Sequence, residues 1–348
     1  MKYSTPIYII GAGGIVNDAH LPAYKLAEYN VQGIFDIDAD KATTTATKFS
    51  IPQIFTSINE MIAAAGSVAV FDMAVPGNAT MAVLQQLPEG ATVLLQKPMG
   101  ENFAEATAIL QLCRQKKLKA AVNFQLRYAP YILAAKKLIA NGSIGVINDI
   151  EVNVNVFTPW HLWNFLNEAP RVEILYHSIH YIDLIRNLLG NPKSVYAKTT
   201  KHPSMVQLAS VRSNIIMDYG ELVAANILTN HCHNYGTPKQ QSYIKIEGSK
   251  GAIKINFGAL IDYPRGAADS FEFVLLEEGK EPEWRTMDVE GSWFPHAFIG
   301  SMEQVLLAAN NQIEKPDNSA EDCIHTMACV EAAYKSSEQG GVPLYTET

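Results

Sequence analysis

The chain lacks what would tie it to nucleic acid, a lipid bilayer or a disulfide scaffold. Positive charge is in deficit: 27 lysines and arginines face 35 acidic residues, for a net charge of −8, and no basic run stands out. A nucleic-acid partner is therefore not expected. No apolar run approaches membrane-spanning length, so no membrane partner is expected either. Cysteine is scarce, and Cys113, Cys232, Cys323 and Cys329 share no zinc-type or disulfide-framework spacing. Internal repeats and low-complexity tracts are missing, and no charged-then-apolar leader precedes the first strand. A reducing, cytoplasmic setting is the expectation.

What is present is the composition of a globular enzyme. The 348 residues are 48% hydrophobic and 18% charged, enough for two domains with a sizeable core. The first third alternates short apolar runs with helical stretches: strands are predicted at 6–10, 31–35, 68–74, 92–95 and 120–124, with a helix at 103–116. Such alternation predicts a doubly wound parallel sheet. From 148 the pattern changes, and 149–157 alternates polar and apolar as a half-exposed strand does. A long helix is predicted at 169–189, opened by Pro170 and closed by Gly190. Further strands follow at 194–199, 206–212, 215–219, 222–228, 242–247, 252–256, 271–276 and 284–289, then helices at 297–310 and 320–338. The expected class is α/β, a doubly wound parallel sheet at 1–124 followed by an α+β domain at 125–348 with a large, mostly antiparallel sheet.

Chemistry concentrates first at Ile7-Tyr8-Ile9-Ile10-Gly11-Ala12-Gly13-Gly14-Ile15-Val16, closed by Gly33-Ile34-Phe35-Asp36. Strand, glycine turn, helix, strand and acid follow in the order a dinucleotide needs. Gly11 lets the chain bend tightly, and Gly13 lets the backbone approach a pyrophosphate at the start of the next helix. Asp36 lies about 20 residues past the turn, where a carboxylate grips an adenosine ribose. The third glycine position of the fingerprint holds Val16, which predicts a helix set slightly farther from its strand. Asp36, Asp38 and Asp40 would repel a 2′-phosphate, so NAD is expected over NADP.

Together with His20-Leu21-Pro22-Ala23-Tyr24, Lys97-Pro98, the segment Asn123-Phe124-Gln125-Leu126-Arg127-Tyr128-Ala129-Pro130, His180-Tyr181-Ile182-Asp183 and Gly248-Ser249-Lys250-Gly251-Ala252, these residues resemble one family. It is the glucose-fructose oxidoreductase / inositol dehydrogenase / rhizopine catabolism family of nicotinamide-dependent oxidoreductases, and the likeness covers nearly the whole chain. The resemblance implies a Rossmann domain, a second domain whose open sheet often builds a homo-dimer or homo-tetramer, and a sugar, polyol or sugar-derivative substrate oxidised by hydride transfer. It implies cofactor contacts at Gly11, Gly13, Gly14, Ile15, Asp36, Pro76, Gln96 and Lys97. It also implies that Lys97 lies beside the reacting hydroxyl, preceding a Lys-Pro bond that is often cis, and that His180 is the proton acceptor. Two positions depart from the pattern. Gln96 stands where the family usually has Glu, which removes a charge next to Lys97, and Tyr176 replaces the usual Asp one helical turn before His180.

Glu173, His177 and His180 fall at i, i+4 and i+7, one polar stripe on a helix. Such a stripe suits either a divalent metal or a hydrogen-bonded sugar site. The sugar site is preferred and no metal is expected. Arg127, Trp163, Arg171 and His177 are the candidate substrate contacts, with Tyr176 assisting Lys97 and His180; for Arg171 a surface salt bridge is the competing use. His231 and His233 read as structural or exposed. Two other functions remain open: redox-assisted elimination or hydrolysis with the cofactor regenerated each cycle, and a dinucleotide-binding regulator without turnover.

Overall fold

The computed structural model describes residues 3–66 and 68–343. The chain divides into two compact units, Met1–Ala134 with Glu290–Met327 and Ala135–Val289 with Ala328–Thr348.

The first unit is built on six strands: β1 (Ile7–Ile10), β2 (Val31–Phe35), β3 (Gln53–Ile54), β4 (Val70–Met73), β5 (Thr92–Leu95) and β6 (Lys119–Val122). Their order is β3-β2-β1-β4-β5-β6, and every neighbouring pair is parallel. Helices α1 (Leu21–Leu26), α2 (Ala39–Phe49), α3 (Ile58–Ala65), α4 (Thr80–Gln86) and α5 (Phe103–Gln115) connect them. All residues of β1, β4 and β5 are buried, as strands covered on both faces must be, and this is why they read as unbroken apolar runs. The strand order reverses between β1 and β4, so the carboxyl ends there frame the crevice in which such sheets bind ligands.

The division into units falls within α6 (Pro130–Ala140), and the second unit holds β7 (Ile147–Asn155), α7 (Ile179–Leu189), β8 (Ser194–Thr200), β9 (Arg212–Asp218), β10 (Ala224–Asn230), β11 (Gln241–Gly248), β12 (Gly251–Asn256), β13 (Ser270–Leu275) and β14 (Arg285–Thr286). The sheet order is β14-β13-β12-β11-β7-β10-β9-β8, antiparallel throughout except for the β7–β10 pair. Register aligns an apolar row across it, Phe271, Ile255, Ile244, Val152, Ile227 and Ile215, each at most 1% exposed. Each such side chain contributes roughly 1.5–3 kcal/mol of burial. The opposite face carries Asn153, Asn155, Asn214, Asn230 and Gln241, with Arg212 at one end, around a shallow concavity.

Helices α8 (His296–Ala309) and α9 (Ala320–Gln339) end the fold. A single boundary after residue 124 was expected, but α8 returns to the first unit. Its Phe298, Met302, Val305 and Leu306 enter the core formed by Ile7, Ile9, Val16 and Tyr24. Residues 318–319 also cover the outer edge of β6, where Val122 donates its amide to the Asn318 carbonyl at 2.8 Å. In the second unit, α9 covers the outermost strand: the amides of Ala197 and Thr199 donate to the hydroxyls of Ser336 and Ser337 at 2.9 and 3.0 Å.

Three elements differ from their predicted form. No strand occupies 206–211, because Leu208 and Val211 bury in a side cluster with Trp160, Leu166, Val172 and Cys232. The strand predicted at 284–289 shrinks to β14, at an edge. The helix predicted from 169 starts only at Glu173, leaving Pro170 outside, and opens with a π turn at Ile174–Ser178. No helix among the described residues is long and apolar enough to cross a membrane.

Candidate functional site

The glycine turn has the shape a phosphate group requires. Gly11 adopts φ +107°, and a Cβ there would stand 2.4 Å from the Ala74 carbonyl oxygen of the neighbouring strand end, so only glycine fits. A Cβ on Gly13 would meet nothing within 4 Å, and Gly13 and Gly14 are exposed, which leaves their backbone open to a ligand. At the end of β2 the Asp36 carboxylate is fixed from both sides. Its Oδ2 accepts from the Ala12 amide at 2.6 Å and its Oδ1 from the Asp38 amide at 2.8 Å. Asp38 caps α2, and the hydrogen bond from the Lys41 amide is the main cause that holds its carboxyl below the usual range. Val16 is fully buried, and the segment after the turn is a π helix, Val16–His20, running into α1. Ile15 is half-buried at its start. These features fit a dinucleotide: a glycine cradle, a positioned acid and a following helix.

Three further predicted residues follow strand ends. Pro76, after β4, precedes a short 3₁₀ turn at Gly77–Ala79. Gln96 follows β5 and folds its Oε1 back to accept from the Lys97 amide at 3.2 Å. The Lys97–Pro98 bond is cis. Lys97 is partly exposed as a whole, yet burial of its ammonium pulls its pKa from 10.5 down to about 8. Arg127, expected to meet substrate, is turned inward and is 1% exposed. Its guanidinium donates to Asp322 Oδ2 at 2.6 Å and to the Asp317 carbonyl at 2.8 Å, a tie inside the first unit.

In the second unit the helix bearing His180 begins where other elements supply acceptors for its first amides. Glu173 N–H donates to Ser210 Oγ, and Leu175 N–H to Tyr334 Oη, each at 3.2 Å. The π turn breaks the expected stripe. Ser178, not His177, stands one turn beyond Glu173 and donates to its Oε1 at 2.8 Å. His177 instead packs its ring against Trp160 and His231, at centroid distances of 4.8 and 4.4 Å. His180 is buried, at 8% exposure. Tyr176 is half-buried beside the Trp160 cluster, its ring 5.8 Å from that of Phe165. Trp163 borders the same cluster, 5.7 Å from Tyr263. Arg171 has a carboxylate partner: it grips Glu331 at 2.7 and 3.3 Å and lies over the Tyr334 ring.

Two buried networks escaped the sequence reading. His231, taken as structural or exposed, is 1% exposed, with Nε2 3.3 Å from Glu173 Oε1 and Nδ1 2.9 Å from Thr158 Oγ1. Burial alone would raise the Glu173 pKa, but the hydrogen bond and charge of His231, with Ser213 and Ser178, hold it below the usual value. In the first unit, Asp72 of β4 meets His20 Nδ1 at 2.7 Å and accepts from Tyr24 Oη at 2.8 Å, while Asn123 Nδ2 lies 3.2 Å from His20 Nε2. An acid inside the apolar run Val70-Phe71-Asp72-Met73 was the signal, because a buried carboxylate needs partners. No group of Glu173, His177 and His180 poised for a metal ion occurs among the described residues.

Fold and glycine turn together define a protein with a dinucleotide-type α/β unit joined to a second, open-sheet unit. Residues 6–124 match the model of an oxidoreductase family's NAD-binding Rossmann fold, and residues 136–344 match its C-terminal alpha/beta domain. The chain belongs to that family, the glucose-fructose oxidoreductase / inositol dehydrogenase / rhizopine catabolism oxidoreductases. It is 25% identical over 268 residues to glucose-6-phosphate 3-dehydrogenase of Bacillus subtilis, spanning 72% of this chain and 74% of that one. With D-apiose dehydrogenase of Rhizobium rhizogenes it shares 23% over 273 residues, 75% of this chain and 73% of the relative. An Agrobacterium radiobacter oxidoreductase, solved with NAD+, L-tartaric acid and magnesium, shares the fold with a TM-score of 0.79 at 19% identity, covering 97% of each chain. The aldose-aldose oxidoreductase of Caulobacter crescentus does so with a TM-score of 0.79 at 17% identity, covering 98% of this chain and 99% of that one.

Proposed function

We propose that this oxidoreductase is an NAD-dependent dehydrogenase of a sugar, polyol or sugar derivative. The observation that carries the reading is Lys97, an ammonium at the carboxyl end of β5 whose burial lowers its pKa to about 8. A partly desolvated cation stabilises an incipient alkoxide far better than a solvated one. Lys97 lends that charge to the substrate oxygen, and His180 takes the hydroxyl proton. Gly11, Gly13, Gly14 and Ile15 cradle the pyrophosphate, Asp36 holds the adenosine ribose, and Pro76 and Gln96 border the nicotinamide end. When bound, the nicotinamide supplies the acceptor for the hydride of the substrate carbon. His177, Trp163, Tyr176 and Arg171 are substrate-side contacts in this reading; Arg127, held by Asp322, is not.

The carbohydrate class is favoured by relatives named for glucose 6-phosphate and D-apiose. A homo-dimer or homo-tetramer through the exposed face of the second sheet completes the reading. The four cysteines are buried without a disulfide, which fits a reducing cytoplasm.

The test is a panel of glucose 6-phosphate, D-apiose, myo-inositol and related polyols with NAD, following NADH. Turnover by the wild type, with a loss of about 100-fold or more in Lys97→Met while NAD still binds, supports the assignment. Full activity of Lys97→Met would sink it. Product formed without net NADH would point instead to redox-assisted elimination or hydrolysis.

A further inference from the structure

The turn that introduces α7 is of a rare kind. Ile174–Ser178 is a π turn, and one extra residue in a turn rotates everything after it by about 100° relative to an unbroken α-helix. His180 follows two residues later, so the direction in which α7 presents it depends on whether this turn persists.

The side chains around the turn are arranged to hold it. Ser178 Oγ donates to Glu173 Oε1 at 2.8 Å, across the same five-residue spacing as the π hydrogen bond itself. In a regular helix the partner one turn beyond Glu173 would be His177. The same Oε1 is met by His231 Nε2 at 3.3 Å, and a carboxylate oxygen only accepts, so Nε2 carries the proton. Thr158 Oγ1, 2.9 Å from Nδ1, fixes the other end of that ring. Glu173, Ser178 and His231 are each at most 1% exposed, so these bonds are shielded from bulk solvent. His177, displaced from the position beside Glu173, packs against both Trp160 and His231, whose rings also meet edge to face.

We propose that Glu173 is a positioning residue, whose bonds to Ser178 and His231 hold the π turn and thereby set the direction of His180. The proposal rests on the reading of His180 as the acid/base group. It assigns Glu173 no contact with substrate or cofactor, and it gives the buried Glu173–His231 pair a function that neither metal binding nor the sugar site supplies.

The test uses the full-length protein with Ser178→Ala, which removes only one hydroxyl, and Glu173→Gln, which keeps the size of the side chain. Crystal structures of both read the turn, and kcat and KM for the reacting member of the panel read its effect, beside His180→Gln as reference. The expected result is a turn relaxed toward α-helical bonding with His180 displaced in at least Ser178→Ala, and kcat lowered about tenfold or more with KM nearly unchanged. An unchanged π turn and unmoved His180 in both variants overturn the proposal, with or without a known substrate. A relaxed turn with kcat and KM intact, while His180→Gln is inactive, overturns the positioning role and leaves the reading of His180 standing. Full activity in His180→Gln overturns the reading itself, and the proposal with it.

Discussion

Lys97 shows how one group's surroundings set the conditions under which it works. Its pKa of about 8 keeps it mostly charged at pH 7 and strips the charge just above. For oxidation of an alcohol, kcat/KM should therefore fall as pH rises through about 8, and this falling limb should be missing from the residual activity of Lys97→Met. A wild-type profile flat through that range would contradict the role. The stability term runs the other way. The folded pKa lies below the ordinary lysine value of 10.5, so between about 8 and 10.5 the unfolded chain holds a proton the folded one has released, and this group's contribution to stability rises with pH there. Asp36, held at 2.6 and 2.8 Å by two backbone amides, carries a second prediction: NAD should bind about tenfold or more tightly than NADP, and Asp36→Ala should narrow the gap, as read by calorimetry. Tighter binding of NADP by the wild type would reverse the cofactor assignment. The strand-end places of both residues were legible in the sequence, because each follows an apolar run that reads as a strand. His231 was not, since its partner Glu173 is 58 residues away and only the sheet brings the end of β10 to the start of the helix bearing His180.

Among the elements, what could be read from the chain was whatever repeats. The buried runs of β1, β4 and β5, the alternation along β7, and the long helices α5, α8 and α9 follow from period and burial alone. The π turns at Val16–His20 and Ile174–Ser178 were hidden, because a single inserted residue leaves the composition of a helical stretch unchanged while it turns every later side chain. The apolar residues of 206–211 misled for the opposite reason: they serve a side cluster rather than a sheet. Helix α5 offers a local test. Asn102 Oδ1 accepts from the Glu105 amide at 2.9 Å, and Glu105 Oε2 accepts from the Glu101 amide at 2.9 Å, a reciprocal cap that anchors the loop following Lys97. Asn102→Ala should cost about 1 kcal/mol in chemical denaturation. Asn102→Ser, which keeps an acceptor for the Glu105 amide and a donor for its carboxylate, should lose much less, and equal losses would argue against the cap.

At the scale of the whole molecule, the second sheet leaves one face open. Tyr196, Ile216 and Leu228 are 58%, 51% and 43% exposed there, and Tyr196 lies directly across from Ile216 in the β8–β9 ladder. Apolar groups clustered on an otherwise amide-rich face suit an interface between copies of the chain. The pair Ile216→Lys and Leu228→Glu should shift the protein to monomers in analytical ultracentrifugation while thermal unfolding remains cooperative. A wild type that sediments as a monomer at micromolar concentration would remove the face from consideration. The parallel and antiparallel sheets were both foreseen from the alternation of runs, but the return of α8 to the first unit was not, because a helix's apolar stripe does not name its partner.

The seal on β8 has a meaning beyond tidiness. Ser336 and Ser337 plug the amides of Ala197 and Thr199 with hydroxyls, so these two donors are not free to pair with a strand of another copy along that margin. A chain clipped before Ser336 would bare two unsatisfied donors on an outermost strand. Trimming the C-terminus is therefore less the loss of a tail than the uncorking of an edge, a change that turns a particle of finite size into a potential thread.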